Sequence, residues 1–510
     1  MRSVSAKGIH KSYEGRVVLD DVNVVLSEGS RLALIGENGS GKSTLLKILT
    51  SHIRADKGAI SKDPNGCAYI AQEFSGLEHE TPREFLNRAA KDIPNAVRLL
   101  RRSGFDLGEN EDKLDSVQCK DLSGGEKKKL EIVAGLSSGS MFLALDEPEN
   151  HLDYQTIEWL IGVLEKFPGG IIFVSHDHYL IDRLANSILE LEGGKITVFS
   201  MLYESYLAEK ERQVAGEARD WVVEAKTIKR LIETVEMMKV RAARNSDTAA
   251  TYQQAKRRLT KLKEQHGKRP VIETNQPKVS IQKVERKRGK QIVSLEHVSF
   301  SYGNNIVFDD MCAELSFGEK VVLFGPNGSG KSTLINLIFS VLKPENGRVR
   351  MGNDIEWNMM TQNHLEGIDG KYTALKVFHD TLKWPEHRCR AYLARYGISV
   401  ELVTRSLEVL SGGQQARFKL AITFAQEPEF LLLDEPTNHV DPPTWEAIVE
   451  AIKGYTGTVL AVTHDREFID AVAEKLWVIK DHKVYEEPGN LTEYLERVET
   501  VSHPYATNSQ

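Results

Sequence analysis

GENGSGKST, at Gly36–Thr44, decides how this chain is read, because it returns as GPNGSGKST at Gly325–Thr333. The first copy is preceded by the apolar run RLALI (Arg31–Ile35) and followed by the periodic TLLKIL. Strand, glycine-rich loop and helix, in that order, make a phosphate-binding loop. Gly36, Gly39 and Gly41, like Gly325, Gly328 and Gly330, let backbone N–H groups point into a concavity for the β- and γ-phosphates. Asn38, Ser40 and Thr44, with Asn327, Ser329 and Thr333, complete the two loops. Lys42 and Lys331 add a charge, and Ser43 and Ser332 a hydroxyl ligand for Mg²⁺. One G-x(4)-GK[ST] arises by chance in roughly 2% of chains of this length at average composition. Two at one offset exclude chance.

The repeat extends well beyond these loops. LSGGE (Leu122–Glu126) returns as LSGGQ (Leu410–Gln414), FLALDEPENHLD (Phe142–Asp153) as FLLLDEPTNHVD (Phe430–Asp441), and VSHD (Val174–Asp177) as VTHD (Val462–Asp465). The loop lysines lie 289 residues apart, 331 less 42, and the signature serines 288, 411 less 123. Two copies of one α/β domain therefore flank a middle section. The expected boundaries are 1–202 and 292–495 for the copies, 203–267 for a helical hairpin, 268–291 for an extended basic return, and 496–510 for a short tail.

FLALDE and FLLLDE read as buried parallel strands ending in adjacent acids, at the end where α/β folds place ligands. Asp146 and Asp434 are expected to hold Mg²⁺. Glu147 and Glu435 are expected to polarise the attacking water as general bases. His176 and His464 each follow an apolar run, GGIIFVS and GTVLAVT, and are read as γ-phosphate sensors.

Composition narrows the class. At 510 residues, 41% hydrophobic and 27% charged, the chain has room for two or three ordinary globular domains. It holds no run of about 18 apolar residues, so no membrane span is expected. Its first residues, MRSVSAKGIHKSYEG, offer no apolar core for a secretory signal. Cys67, Cys119, Cys312 and Cys389 are widely spaced and form no CxxC, which excludes a zinc or iron–sulfur module and suits reduced thiols in a cytoplasmic protein.

Charge is sharply segregated. The whole chain carries 66 Lys/Arg against 73 Asp/Glu, yet Lys226 to Arg269 carries 13 against 4, leaving 53 against 69 elsewhere. Trp221, Ala225, Ile228, Ile232, Val235 and Met238 recur at helical spacing; RNSD (Arg244–Asp247) breaks the pattern, and Tyr252, Ala255, Leu259, Leu262 and His266 resume it. Two apolar stripes joined by a short polar break predict an antiparallel hairpin. A large anion is the expected partner of its basic residues, among them Lys239, Arg241, Arg244, Lys256, Arg257, Arg258, Lys261 and Lys263. A solvated connector is the plainer alternative.

Phosphate loops, LSGGE and LSGGQ, and DEP[ET]NH[LV]D together resemble the nucleotide-binding domains of ATP-binding cassette proteins. The resemblance implies that Tyr13 and Tyr302, each 29 residues before its loop lysine, stack on adenine. It implies that Gln72 and Gln362 sense Mg²⁺ and the γ-phosphate. It implies, too, that two ATP molecules are sandwiched head to tail within one chain. Ser411, Gly412 and Gly413 would then close the site of Lys42, Gln72, Glu147 and His176. Ser123, Gly124 and Gly125 would close the site of Lys331, Gln362, Glu435 and His464. Both sites retain their glutamates and signatures and are expected to hydrolyse ATP. Glu149 stands where such proteins usually have Thr, adding a negative charge near the contact between the cassettes.

Two cassettes, no membrane domain and a basic hairpin between them resemble the F subfamily. This implies a monomeric chain acting on ribosomes, its hairpin reaching past the tRNA exit site toward peptidyl-site tRNA, with rRNA and tRNA as the anions. Gln72 to Ser123 spans 51 residues, which leaves no room for the arm of the translational-throttle members. The short hairpin tip favours a general factor for stalled or misaligned ribosomes over an antibiotic-resistance member. A soluble ATPase subunit of a transporter is the competing class, and it has no use for the basic hairpin.

Overall fold

A computed structural model describes the chain except residues 1, 37–38, 62, 64–65, 78, 109, 151, 176, 243–252, 255, 261–289, 362–364, 366, 438–439, 441 and 503–510. Each cassette is built on a six-stranded sheet, in the order β5-β6-β7-β3-β8-β9 in the first. Here β3 is Arg31–Ile35, β5 Cys67–Ile70, β6 Phe142–Asp146, β7 Gly170–Val174, β8 Ser187–Glu192 and β9 Lys195–Phe199. β3, β5, β6, β7 and β8 run parallel, and β9 returns antiparallel at the edge. A smaller antiparallel sheet, β2-β1-β4 (β1 Ser3–Tyr13, β2 Arg16–Ser27, β4 Lys57–Ser61), accompanies it.

The second cassette repeats the plan. Its large sheet has the order β14-β15-β16-β12-β17-β18 and its small one β11-β10-β13. The strands are β10 Gln291–Tyr302, β11 Asn305–Ser316, β12 Lys320–Phe324, β13 Asn346–Met351, β14 Trp357–Met360, β15 Phe430–Asp434, β16 Thr458–Val462, β17 Lys475–Lys480 and β18 Lys483–Pro488. The α/β class expected from the repeat is what forms.

The apolar runs explain the central strands. Every residue of β6 and β7 is buried, as befits parallel strands covered on both faces. Leu45, Leu46, Ile48 and Leu49, on helix Lys42–Leu49, join Phe142, Ala144, Ile172 and Val174 in one core. That packing sets the phosphate loop against the carboxyl ends of β3 and β6. Leu334, Leu337 and Ile338 do the same with Phe430 and Leu432 in the second copy.

The chain divides into two compact units, Met1–Leu202 with Pro277–Gln510, and Tyr203–Gln276. The second unit contains helix Tyr203–Ala242, whose 40 residues span about 60 Å at 1.5 Å each. Ile228 and Val235, two turns apart, are both buried. Residues 253–254 and 256–260 are also helical, with Lys256, Arg257 and Arg258 exposed. The polar break at Arg244–Asp247, and Lys261 and Lys263, lie outside the described residues; Lys239 and Arg241 are described only as backbone of the long helix. At the carboxyl end, helix Leu491–Ser502 runs past residue 495.

Candidate nucleotide-binding site

The two phosphate loops enter their helices through the same conformation for a local reason. Gly41 and Gly330, the residues before the loop lysines, adopt φ of 108° and 104°. A Cβ there would also come within 2.5 Å of Val18 Cγ1 or 2.6 Å of Val307 Cγ1. Both the conformation and the space demand glycine. Lys42 Nζ donates to Gly36 O at 2.7 Å and Lys331 Nζ to Gly325 O at 2.8 Å, so each ammonium folds back over its own loop. Ser40 Oγ and Ser329 Oγ are buried with no hydrogen-bond partner. A buried hydroxyl without a partner is costly, and the cost recurs at equivalent positions in both copies.

At the carboxyl end of β6, Ser43 Oγ donates to Asp146 Oδ1 at 3.2 Å and Tyr69 Oη to Asp146 Oδ2 at 2.8 Å. Gln72 Nε2 and Asn150 Nδ2 each donate to Glu147 Oε2 at 2.7 Å. Ser43, Gln72, Asp146 and Glu147 are thus gathered at one strand end. Such a set, one hydroxyl and one carboxylate beside the phosphates, suits Mg²⁺, which keeps much of its coordination for water and phosphate. Among the described residues no group of three or more His, Cys, Asp or Glu could hold a metal ion alone.

Glu147 and Glu435 share an unusual backbone, with φ of 46° and 48°. Each N–H continues the strand ladder, Glu147 to Val174 O at 2.9 Å and Glu435 to Val462 O at 2.8 Å. Left-handed glutamates are uncommon, and such outliers concentrate at functional sites. Burial, reinforced by Asp434, pushes the Glu435 carboxyl up to about 7. Burial together with Lys331 lowers His464 to about 4, and its Nδ1 has no partner. That imidazole is neutral at physiological pH. Tyr13 and Tyr302 present half-exposed rings at the ends of β1 and β10, open to a planar ligand.

The signature serines cap helices. Ser123 Oγ accepts from Glu126 N at 3.3 Å while Glu126 Oε2 accepts from Ser123 N at 2.9 Å. Ser411 and Gln414 repeat this capping box, which satisfies the first amides of helices Gly124–Leu136 and Gly412–Ala425. Ser123, Gly124 and Gly125 line a cavity of about 1050 Å³ together with Lys331, Ser332, Glu435 and His464. The signature of one cassette and the phosphate loop of the other therefore face one space. Asn38, His176 and Gln362 lie outside the described residues. The mirror pairing of Lys42 with Ser411–Gly413 rests on the repeat.

Several side chains of this region carry no motif signal. Asp153 Oδ2, in the first cassette, accepts from Asn327 N in the second phosphate loop at 3.0 Å. His178 Nδ1 lies 2.7 Å from Glu467 Oε2, and Arg466 is 4.0 Å from Glu158. Lys128 is buried behind the first signature. Asp153 stands inside a repeated motif that assigned it no role, and His178, Glu467, Arg466, Glu158 and Lys128 stand outside the repeated motifs.

An ABC transporter family model matches residues 19–150 and 308–438, and a second ABC transporter model matches 189–281. The chain is 31% identical to ABC transporter F family member 5 of Arabidopsis thaliana over 97% of its own length and 77% of that protein's. It is 29% identical to the ATP-binding protein Uup of Escherichia coli, covering 94% and 80%. An archaeal ribosome recycling factor, solved with an archaeal ribosomal stalk protein, superposes with a TM-score of 0.66 at 21% identity, over 97% of this chain and 92% of that one.

Matching cassettes around matching phosphate loops make this an ATP-binding cassette protein with two cassettes in tandem. More narrowly, the chain belongs to the ABC-F family. Its cassettes imply ATP binding and hydrolysis. Among the described residues no helix is long and apolar enough to cross a membrane.

Proposed function

We propose that the protein is a ribosome-binding ATPase that acts on stalled or misaligned ribosomes. The observation that carries the catalytic half is the shared cavity, where Ser123–Gly125 face Lys331 and Glu435. ATP in that space touches both cassettes at once, so its γ-phosphate favours the closed pair and hydrolysis removes the bridge. Mg²⁺ would be held by Ser43 and Asp146, with Gln72 beside it, and by Ser332 and Asp434 with Gln362; bound there, it neutralises charge on the phosphates. Glu147 and Glu435 take the proton of the attacking water, and His176 and His464 hold the γ-phosphate, His464 as a neutral imidazole.

The ribosomal half is supported by the basic middle section and by exposed Lys256, Arg257 and Arg258 on one helical stretch. Closure drives this hairpin toward the tRNA exit site, where rRNA and tRNA phosphates meet its cations. The fold likeness to an archaeal ribosome recycling factor is in keeping with that surface. The test is co-sedimentation of the Glu147→Gln/Glu435→Gln protein with ribosomes in ATP. Stable, ATP-dependent association supports the reading. Association with membranes instead, or with neither, overturns it.

A further inference from the structure

Lys128 is a charged side chain inside the first cassette. It lies on helix Gly124–Leu136 and is 4% exposed. Its Nζ donates to Ala71 O at 2.8 Å, Asp146 O at 3.3 Å and Gln72 O at 3.4 Å. Those carbonyls belong to the loop that carries Gln72 and to the strand end that carries Asp146. One ammonium therefore ties the signature helix, the Gln72 loop and the end of β6 together.

A buried ammonium needs countercharge. Burial lowers the pKa of this ammonium, and the carboxylates of Glu149, Glu131, Asp146 and Glu147 act against that. Glu149 is itself held, accepting from Ser175 Oγ at 2.6 Å. The 288-residue offset carries Lys128 to Ala416 and Glu149 to Thr437. Charge and countercharge are present together in one cassette and absent together from the other. This gives the unusual Glu149 a physical reason.

We propose that Lys128 is a positioning residue of the first ATP site: it clamps the Gln72 loop to the Asp146 strand end. The Gln72 side chain, 2.7 Å from Glu147 Oε2, is then in place before nucleotide arrives. The two ATP sites of this chain are chemically unequal as a result. The inference rests on reading Gln72 and Asp146 as magnesium-site residues.

The test uses the full chain. Lys128→Met keeps the length of the side chain and removes its charge and donors. Without nucleotide, amide hydrogen exchange of residues 70–77 should quicken about tenfold, while β3, β6 and β7 stay protected. With the second site silenced by Glu435→Gln, the Mg²⁺ concentration for half-maximal ATPase should rise about tenfold, for the same loss of hydrogen bonds. Glu149→Thr alone removes one of the carboxylates facing the ammonium and should lower the thermal midpoint more than Lys128→Ala/Glu149→Thr, which copies the second cassette at both positions. That double variant also replaces Lys128→Met in the exchange experiment should the latter not fold. Unchanged exchange at residues 70–77 overturns the clamp. Faster exchange with unchanged Mg²⁺ dependence supports the clamp and overturns the magnesium reading beneath it.

Discussion

The carboxylate of Asp153 bridges the two cassettes, accepting from Asn327 N of the second phosphate loop at 3.0 Å. With its other oxygen it caps helix Tyr154–Glu165, accepting from Thr156 N at 2.9 Å and Thr156 Oγ1 at 2.6 Å. Burial alone would raise this carboxyl, but the donors on both sides outweigh burial and hold it below the usual range. Its contribution is therefore present above the ordinary carboxylate pKa and lost as pH falls through the depressed value.

Removing that side chain should be felt in stability and at the far site. Asp153→Ala loses the cap, worth about 1 kcal/mol, and leaves Asn327 N without this acceptor. Asp153→Asn keeps an oxygen for the helix. We expect thermal unfolding to place Asn near wild type and Ala clearly below it, with ATP binding at the Lys331 site weakened in Ala. Equal midpoints for the three proteins would refute the capping role.

Glu435 sets a pH dependence. In the Glu147→Gln background only the second site retains its base, and that base must be deprotonated to work. With its carboxyl at about 7, the residual ATPase should climb as pH rises from 6 to 8. Removing the base as well, with Glu435→Gln, should cost a further 10²–10⁴-fold or so. The linkage has the opposite sign for stability. The folded state holds this proton up to about 7, whereas the unfolded chain releases it near 4.5, so stability falls as pH rises through that window. A flat rate profile, or near-normal turnover in the double variant, would remove Glu435 from its assigned role.

The contact between the cassettes should loosen with rising pH. Burial works against the His178 imidazolium, but Glu467 outweighs it and raises its pKa. That stabilisation is complete below the ordinary histidine pKa and disappears as pH passes the raised value. Asp177, pushed up to about 6 chiefly by burial, acts in the same direction between 3.8 and 6. Half-exposed pairs of this kind are worth at most about 1 kcal/mol. Energy transfer between dyes on the two cassettes should report a closer pair at pH 6 than at pH 8, and Glu467→Gln should flatten the response. An identical response in that variant would place the titration elsewhere.

Reversing Lys256, Arg257, Arg258, Lys261 and Lys263 to Glu should abolish ribosome binding in the ATP-trapped protein. Each phosphate deprived of its cation should flatten the salt dependence by roughly 0.7–0.9 in logarithmic slope. Nucleotide affinity of the free protein should survive, because the phosphate loops lie elsewhere in the chain. Co-sedimentation across a salt series measures this. Unchanged binding and slope would reduce the hairpin to a tether.

How far the sequence could be read depended on whether a feature was local. The phosphate loops and the paired acids where β6 and β15 end are contiguous patterns, and each formed the local structure its residues favour. Lys128 was invisible for the converse reason. It sits in the run Lys127–Lys129, which reads as solvated charge, yet the turn of the helix buries only the middle lysine. Contacts across the two copies, such as Asp153 with Asn327, 174 residues apart, leave no periodicity at all. The facing of Ser123–Gly125 toward Lys331 came from family resemblance, since no spacing encodes it.

The cavity shared by Ser123–Gly125 and Lys331 is assembled from two halves of a single polypeptide. Completing it is therefore a unimolecular event. Separate subunits would have to find one another, and their activity would fade on dilution; here the second half is always present at an effective concentration fixed by the chain between them. Closing that cavity accordingly needs no second copy of the chain and does not weaken on dilution.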